Sequence, residues 1–278
     1  PSGVNRLQSS PPAEPFIRGM LAVKGLDIEP VAALARMETL SSPVSAAWAI
    51  DGAYDADVTG LGLPEHTMLV SAALQFTGSP LAERLLRLGA VTHVLTADGA
   101  QFPGFHSLAT VPWLGDNPLV LLAVPAPRPR VFIVHQTRDA ASPREAITLL
   151  GDPTFDLARE TLIVGGPAMT GANTGSTCAV VRRVPDSLEL SCTLPEEGVV
   201  VVADAWDAGW RATVDGTPTP VLRADVLFRG VRVAAGTHNV RLRYRPPGVI
   251  LGALLTLTGA LVWAALFLSD RRFRGAAR

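Results

Sequence analysis

Two tryptophans, Trp206 and Trp210, close one strand-like run and open the next. Aromatic rings at a sheet rim can stack on a sugar ring; packing into a core or an edge is the other use of such residues. Cys178 and Cys192 are the only cysteines. If the intervening hairpin centres on Pro185, the two face each other. Directly opposed strand residues lie about 4.5–5.5 Å apart at Cα, which is within disulfide reach. The alternative is two buried thiols. Asp215-Gly216 is a turn dipeptide, in which the carboxylate accepts backbone hydrogen bonds.

Other chemistry is not encoded in any recognisable spacing. His66, His93, His106, His135 and His238 are scattered. Two cysteines without a nearby histidine do not make a zinc site. G-x-S-x-G, H-E-x-x-H and G-x-G-x-x-G patterns are missing. Carboxylates are numerous enough for a glycosidase pair, but no spacing singles two out. The loop PAMTGANTGST (167–177) lacks a lysine after its glycines, so it is not a phosphate-binding loop. The residues therefore nominate no catalytic group, no metal and no cofactor.

The elements that would position these residues fall into three parts. Residues 1–127 read as an irregular arm followed by a small α/β layer. In it, Glu29-Pro30 starts a short helix through VAALARMETL, and residues 51–67 form a loop. Ser79-Pro80 caps a helix that Gly89 ends, and VTHVLTAD and LVLLAV are strands. PAPRPR (125–130) reads as a linker. Residues 128–247 read as an antiparallel β-sandwich with turns every 8–12 residues. Within this part Ser142-Pro143-Arg144-Glu145 is a capping box. GVVVVADAW is a nearly continuous apolar strand. GWRATV with TPVLRA, and LFRGVRV with HNVRLRYR, are expected as two hairpins.

Residues 248–278 hold a run, 249–268, with no charged side chain. At 1.5 Å per residue a helix over it is about 30 Å long, the thickness of a bilayer's hydrocarbon core. The expected architecture is thus α+β, a small α/β part and a β-sandwich, closed by one transmembrane helix. Arg271, Arg272, Arg274 and Arg278 follow the run and argue for a cytoplasmic tail. Arg241, Arg243 and Arg245 precede it, but they alternate with Val240, Leu242 and Tyr244 as in a strand, so they belong to a folded domain. The net charge of −1 gives no field that recruits nucleic acid. The chain begins at Pro1 with no signal peptide, as expected of the C-terminal part of a longer membrane protein.

The stretch 198–248 has a specific order of residues: Gly209-Trp210, Val214-Asp215-Gly216, Pro220, Arg223-Ala224, Phe228-Arg229, Val233, Gly236-Thr237-His238 and Tyr244-Arg245-Pro246-Pro247. It resembles the C-terminal extracytoplasmic region of YfhO-like bacterial membrane proteins. Weaker likeness extends to LLRLGAVTHVLT (85–96) and PRVFIV (129–134). The resemblance implies a polytopic protein of the bacterial cytoplasmic membrane, similar to GT-C-type glycosyltransferases. Such enzymes move a sugar from a polyprenyl-phosphate carrier to a cell-envelope glycan acceptor. Their catalytic carboxylate lies in an early extracytoplasmic loop, so no catalytic residue carries over here. Whether this chain is itself an enzyme stays open. The implied role is accessory, with the membrane and upstream membrane helices of the same protein as partners. A tethered carbohydrate-binding sandwich and a purely structural envelope domain are the alternatives. Gly209, Asp215, Gly216, Gly236, His238, Tyr244, Arg245, Pro246 and Pro247 read as architectural. Gly252, Ala253, Thr256, Gly259 and Ala260 offer a neighbouring helix a small-residue face.

Overall fold

A strand that is apolar at every position must be buried on both faces. That requirement organises this molecule, seen here in a computed structural model that describes residues 6–9, 51–54, 63–75, 77–112, 118–172 and 175–275. The expected helix at VAALARMETL lies outside these residues. The first sheet holds β1 (Arg6–Ser9), β2 (Asp51–Gly52), β3 (His93–Thr96), β4 (His106–Val111) and β5 (Leu119–Ala123), in the order β2-β1-β3-β5-β4. Its helices are α1 (Pro64–Gln75) and α2 (Pro80–Leu88). Next come β6 (Val131–Val134), β7 (Gln136–Ala140), α3 (Pro143–Leu150) and β8 (Glu160–Val164), with β7 and β8 parallel. The remaining strands are β9 (Thr177–Val184), β10 (Ser187–Leu194), β11 (Gly198–Ala205), β12 (Trp210–Val214), β13 (Thr217–Thr219), β14 (Val221–Ala224), β15 (Phe228–Val233) and β16 (Gly236–Tyr244). They form a central sheet, β6-β11-β15-β14-β8-β7, and an outer sheet, β13-β12-β16-β10-β9.

The central sheet is covered on both sides. Val200 and Val202 of β11 meet Leu188, Leu190, Leu194, Val240 and Leu242 of the outer sheet, making the sandwich core. Val199, Val201 and Ala203 point the other way, into a cluster with Leu85, Leu86, Val94 and Leu122 of the first sheet and its helices. Each buried valine contributes roughly 1.5–3 kcal/mol. The α/β part and the sandwich thus share one apolar cluster. Ser79 caps α2 by accepting from the Ala82 amide at 3.2 Å, and Ser142 caps α3 likewise from Glu145 at 3.2 Å.

Three local expectations need correction. The segment 64–67 is not loop, because α1 starts at Pro64 with Glu65 in its first turn, both favourable there; β2 also lies within the expected loop. Strands 228–233 and 236–244 do not pair as a hairpin. β15 pairs with β11 and β14, and β16 with β10 and β12. Val231 and Val233 must face Val240 and Leu242 across the sandwich core, so the two strands lie in opposite sheets. The TPVLRA strand is split at Pro220. Thr217–Thr219 stays in the outer sheet, and Val221–Ala224 crosses to the central one.

The linker-like segment is pinned. Arg128 is buried, and its Nη1 donates to Asp225 Oδ2 at 3.0 Å; Nε and Nη2 donate to the Leu157 and Glu160 carbonyls. Asp225 is fully buried and also accepts from the Leu162 amide at 2.8 Å. Burial pushes its carboxyl up, against the pull of the Arg128 charge and the Leu162 amide.

The last helix, α4 (Val249–Gly275), follows β16 after four residues. Leu251, Leu254, Leu255, Leu257, Leu261, Val262, Trp263 and Leu266 are all exposed. Its described side chains are those of 249 and 251–266, and among the described residues no helix is long and apolar enough to cross a membrane.

Removing one partner of a buried ion pair strands the other charge, at about 3–5 kcal/mol. Asp225→Ala is therefore expected to lower the unfolding free energy of the detergent-solubilised chain by about that much in urea titration. A loss below roughly 1 kcal/mol would show that Arg128 finds water or another acceptor.

Candidate functional site

The three sheets meet around a cleft of about 1250 Å³, lined by charged and aromatic side chains. Asp204 interrupts the apolar run of β11 and sits near that strand's end. It accepts from Arg130 Nε at 2.8 Å and is paired with Arg229 Nη2 at 2.8 Å. Arg130 also donates from Nη1 to Asp51 Oδ2 at 2.6 Å. Asp51, on β2, takes a two-pronged contact from Arg183 of β9, at 3.1 and 3.2 Å. Burial raises the Asp51 carboxyl, but the Arg183 hydrogen bonds and the Arg130 charge outweigh it, so it lies below its ordinary value. The guanidinium of Arg229 stands 3.9 Å over the Trp210 ring. Trp210 in turn packs at 5.3 Å on Tyr244. The result is an alternating chain of cations and anions, ending on two aromatic rings, that crosses all three sheets.

Gly209, Trp210, Tyr244 and Arg245 come together beside this cleft. The Arg245 amide donates to the Gly209 carbonyl at 2.9 Å. A Cβ on Gly209 would lie 2.6 Å from the Tyr244 ring, so only glycine fits. Burial and then a hydrogen bond with Asp207 raise the Tyr244 phenol. Pro246 and Pro247 follow and lead into α4. Asp215, Gly216, Gly236 and His238 gather at the opposite end of the outer sheet. Asp215 and Gly216 have φ of 50° and 84°, as the tight two-residue turn requires. Asp215 Oδ1 accepts from the Asn239 amide at 2.7 Å, and Oδ2 lies 2.7 Å from His238 Nδ1.

Trp206 lies apart from the ion chain. Its Nε1 donates to the Val221 carbonyl at 3.2 Å, and Arg223 stands 5.4 Å from its ring. With Trp210 it lines a second groove of about 870 Å³. Cys178 and Cys192 are directly opposed on β9 and β10 and joined by a disulfide, with Cα atoms 4.1 Å apart. The register shifts beyond them, between Glu189 and Leu190. Among the described residues no three His, Cys, Asp or Glu gather as a metal-ligand set.

Sequence reasoning missed Asp51, Arg130, Arg183, Asp204 and Arg229. One signal was present, a carboxylate at position 204 inside an otherwise apolar strand. It also missed His135, which is buried between the Ser176 hydroxyl, 2.7 Å from Nε2, and the Glu197 carbonyl, 2.9 Å from Nδ1. A carbonyl only accepts, so Nδ1 carries a proton toward Glu197, and Nε2 is within hydrogen-bond reach of the Ser176 hydroxyl. The pair fastens the 167–177 loop to the start of β11.

The Asn239 amide and then His238 hold the Asp215 carboxyl low, while Asp215 and then the Ala235 carbonyl hold His238 high. The contact is thus complete above the ordinary Asp value of about 3.9 and below the ordinary His value of about 6.5. It fades as pH falls through the lowered Asp215 pKa or rises through the raised His238 pKa. A histidine-ring NMR titration should place His238 above about 6.5, and Asp215→Asn should bring it back; an unmoved midpoint in the variant would refute the pairing.

Comparison with curated proteins and with solved structures finds no match. Residues 181–256 match the family model described as bacterial membrane protein YfhO. That stretch runs from β9 through the outer sheet and the Gly209–Tyr244 junction into the first turns of α4. Over that stretch the chain is similar to the bacterial membrane protein family YfhO.

Proposed function

We propose that this chain is an extracytoplasmic C-terminal portion of a polytopic bacterial membrane protein that resembles lipid-linked-sugar-dependent glycosyltransferases. Its role is accessory: it positions the acceptor or a partner, and the catalytic residues lie outside it. The observation that carries this reading is the junction. The YfhO-like residues Gly209, Trp210, Tyr244 and Arg245 pack where the outer sheet hands over to α4, beside the charged cleft. A polyprenyl-phosphate sugar or a glycan acceptor held near the membrane surface would meet that cleft. We assign residues 1–127 to an irregular arm and a small α/β domain, 128–247 to the β-sandwich domain and 248–278 to a transmembrane helix and short cytoplasmic tail, although one apolar cluster crosses the first boundary.

In this proposal α4 spans the bilayer. Support comes from the charge-free run 249–268 in the sequence and from apolar side chains exposed all round the helix. The Thr256 and Thr258 hydroxyls donate to the Gly252 and Leu254 carbonyls one turn back, both at 2.8 Å, so neither needs water. The arginines after the run set the tail inside. Fusing a fluorescent protein or alkaline phosphatase after Arg278 tests this. A fluorescent, phosphatase-negative tail is expected, and an active phosphatase would reverse the orientation.

A second reading, a carbohydrate-binding sandwich, draws on the groove that Trp206 and Trp210 share. In the parent protein, Trp210→Ala is expected to lower sugar transfer to the envelope roughly two- to tenfold, the range that one ring contact of about 0.5–1.5 kcal/mol allows. Loss of glycan binding with transfer unchanged would favour the second reading. If the Trp206→Ala/Trp210→Ala double variant alters neither, the domain is structural.

A further inference from the structure

The outer face of the outer sheet changes character along its length. Away from α4, Arg241 of β16 is paired with Glu189 of β10 at 3.1 Å. Toward α4 the pairing stops. Arg211 on β12 lies directly opposite Arg243 on β16, and Arg245 follows one step nearer the helix. All three are exposed, and among the described residues none has an ion-pair partner. Arg211 donates only to the Ala208 and Trp210 carbonyls, at 2.7 and 3.1 Å. Two carboxylates border the cluster. Asp207 shares the second groove with these arginines, but it accepts from the Gly209 amide at 2.7 Å and is engaged by Tyr244. Asp186 borders Arg243 in a shallow groove without forming an ion pair to it.

Like charges directly opposed on adjacent strands destabilise a sheet unless an opposite charge lies over them. The position says where that charge comes from. Between Arg245 and Val249 run only Pro246, Pro247 and Gly248, at most about 14 Å of extended chain. Trp206 and Trp210 line the same groove, and tryptophan favours the membrane–water interface.

We propose that Arg211, Arg243 and Arg245 dock on anionic phospholipid headgroups of the leaflet that α4 enters. This fixes the tilt of the sandwich on the membrane and so the direction in which the charged cleft opens. The inference rests on α4 being a membrane span.

The full chain is reconstituted in nanodiscs of phosphatidylcholine alone or mixed with phosphatidylglycerol, and labelled with a neutral arginine-specific dicarbonyl. Modification at each arginine is read by mass spectrometry. Phosphatidylglycerol is expected to slow labelling of Arg211, Arg243 and Arg245 about fivefold, the factor for roughly 1 kcal/mol per arginine at an anionic surface. High salt should erase the difference. Arg159, exposed and ion-paired with Asp156 at 3.7 Å, lies outside this cluster and should label equally in both. Equal labelling of the three arginines in both discs overturns the proposal, as does slowing shared by Arg159. A chain that fails to stay with either disc overturns the membrane-span reading as well, which separates the two failures.

Discussion

The double burial of the central sheet is the constraint on which the rest of the structure depends. β11 has to satisfy two cores, so its alternate valines divide between the sandwich and the α/β cluster. A one-residue slip would exchange the two sets and misplace every neighbour. The strand's last turn of registry then delivers Asp204 to the edge where all three sheets converge. The cleft is lined by residues of all three sheets.

Charges at this convergence are held by arginine. Arg130, Arg183 and Arg229 present planar forks that hold carboxylates from two directions at once, which a lysine ammonium does not do. The same geometry serves elsewhere. Arg84 of α2 donates to the Leu150, Asp152 and Phe155 carbonyls, satisfying backbone acceptors at and beyond the end of α3. Arg128 does so from inside the protein. These contacts tie the α/β part to the sandwich with polar bonds around a shared apolar cluster, so the two parts present the cleft as one surface.

The YfhO-like stretch has a mechanical meaning in this frame. Several of its residues gather at the two ends of β12 and β16, and others lie on β14 and β15 of the central sheet. At one end Asp215 and His238 lock neighbouring turns together. At the other, Gly209 lets Tyr244 and the Arg245 backbone approach closely, immediately before the prolines and α4.

Local signals were legible in the sequence because local physics fixes them. Ser79-Pro80, Ser142-Pro143 and Asp215-Gly216 specify caps and a turn through atoms a few residues apart, and GVVVVADA read as a nearly continuous apolar strand. Pairing partners were not legible. Val231 and Val240 look like two sides of a hairpin, but burying both in one core sends their strands to opposite sheets. The arginines of PRPR read as solvated linker, because nothing nearby in sequence announces Asp225, Asp204 or Asp51 as their acceptors. The sequence by itself determined the two capped helices, the strands of strong apolar pattern and where the charge-free run lies, but not α1 or β2. Only the tertiary structure decided which strands pair and which charges meet, since those depend on groups brought together from as far apart as Asp51 and Arg183.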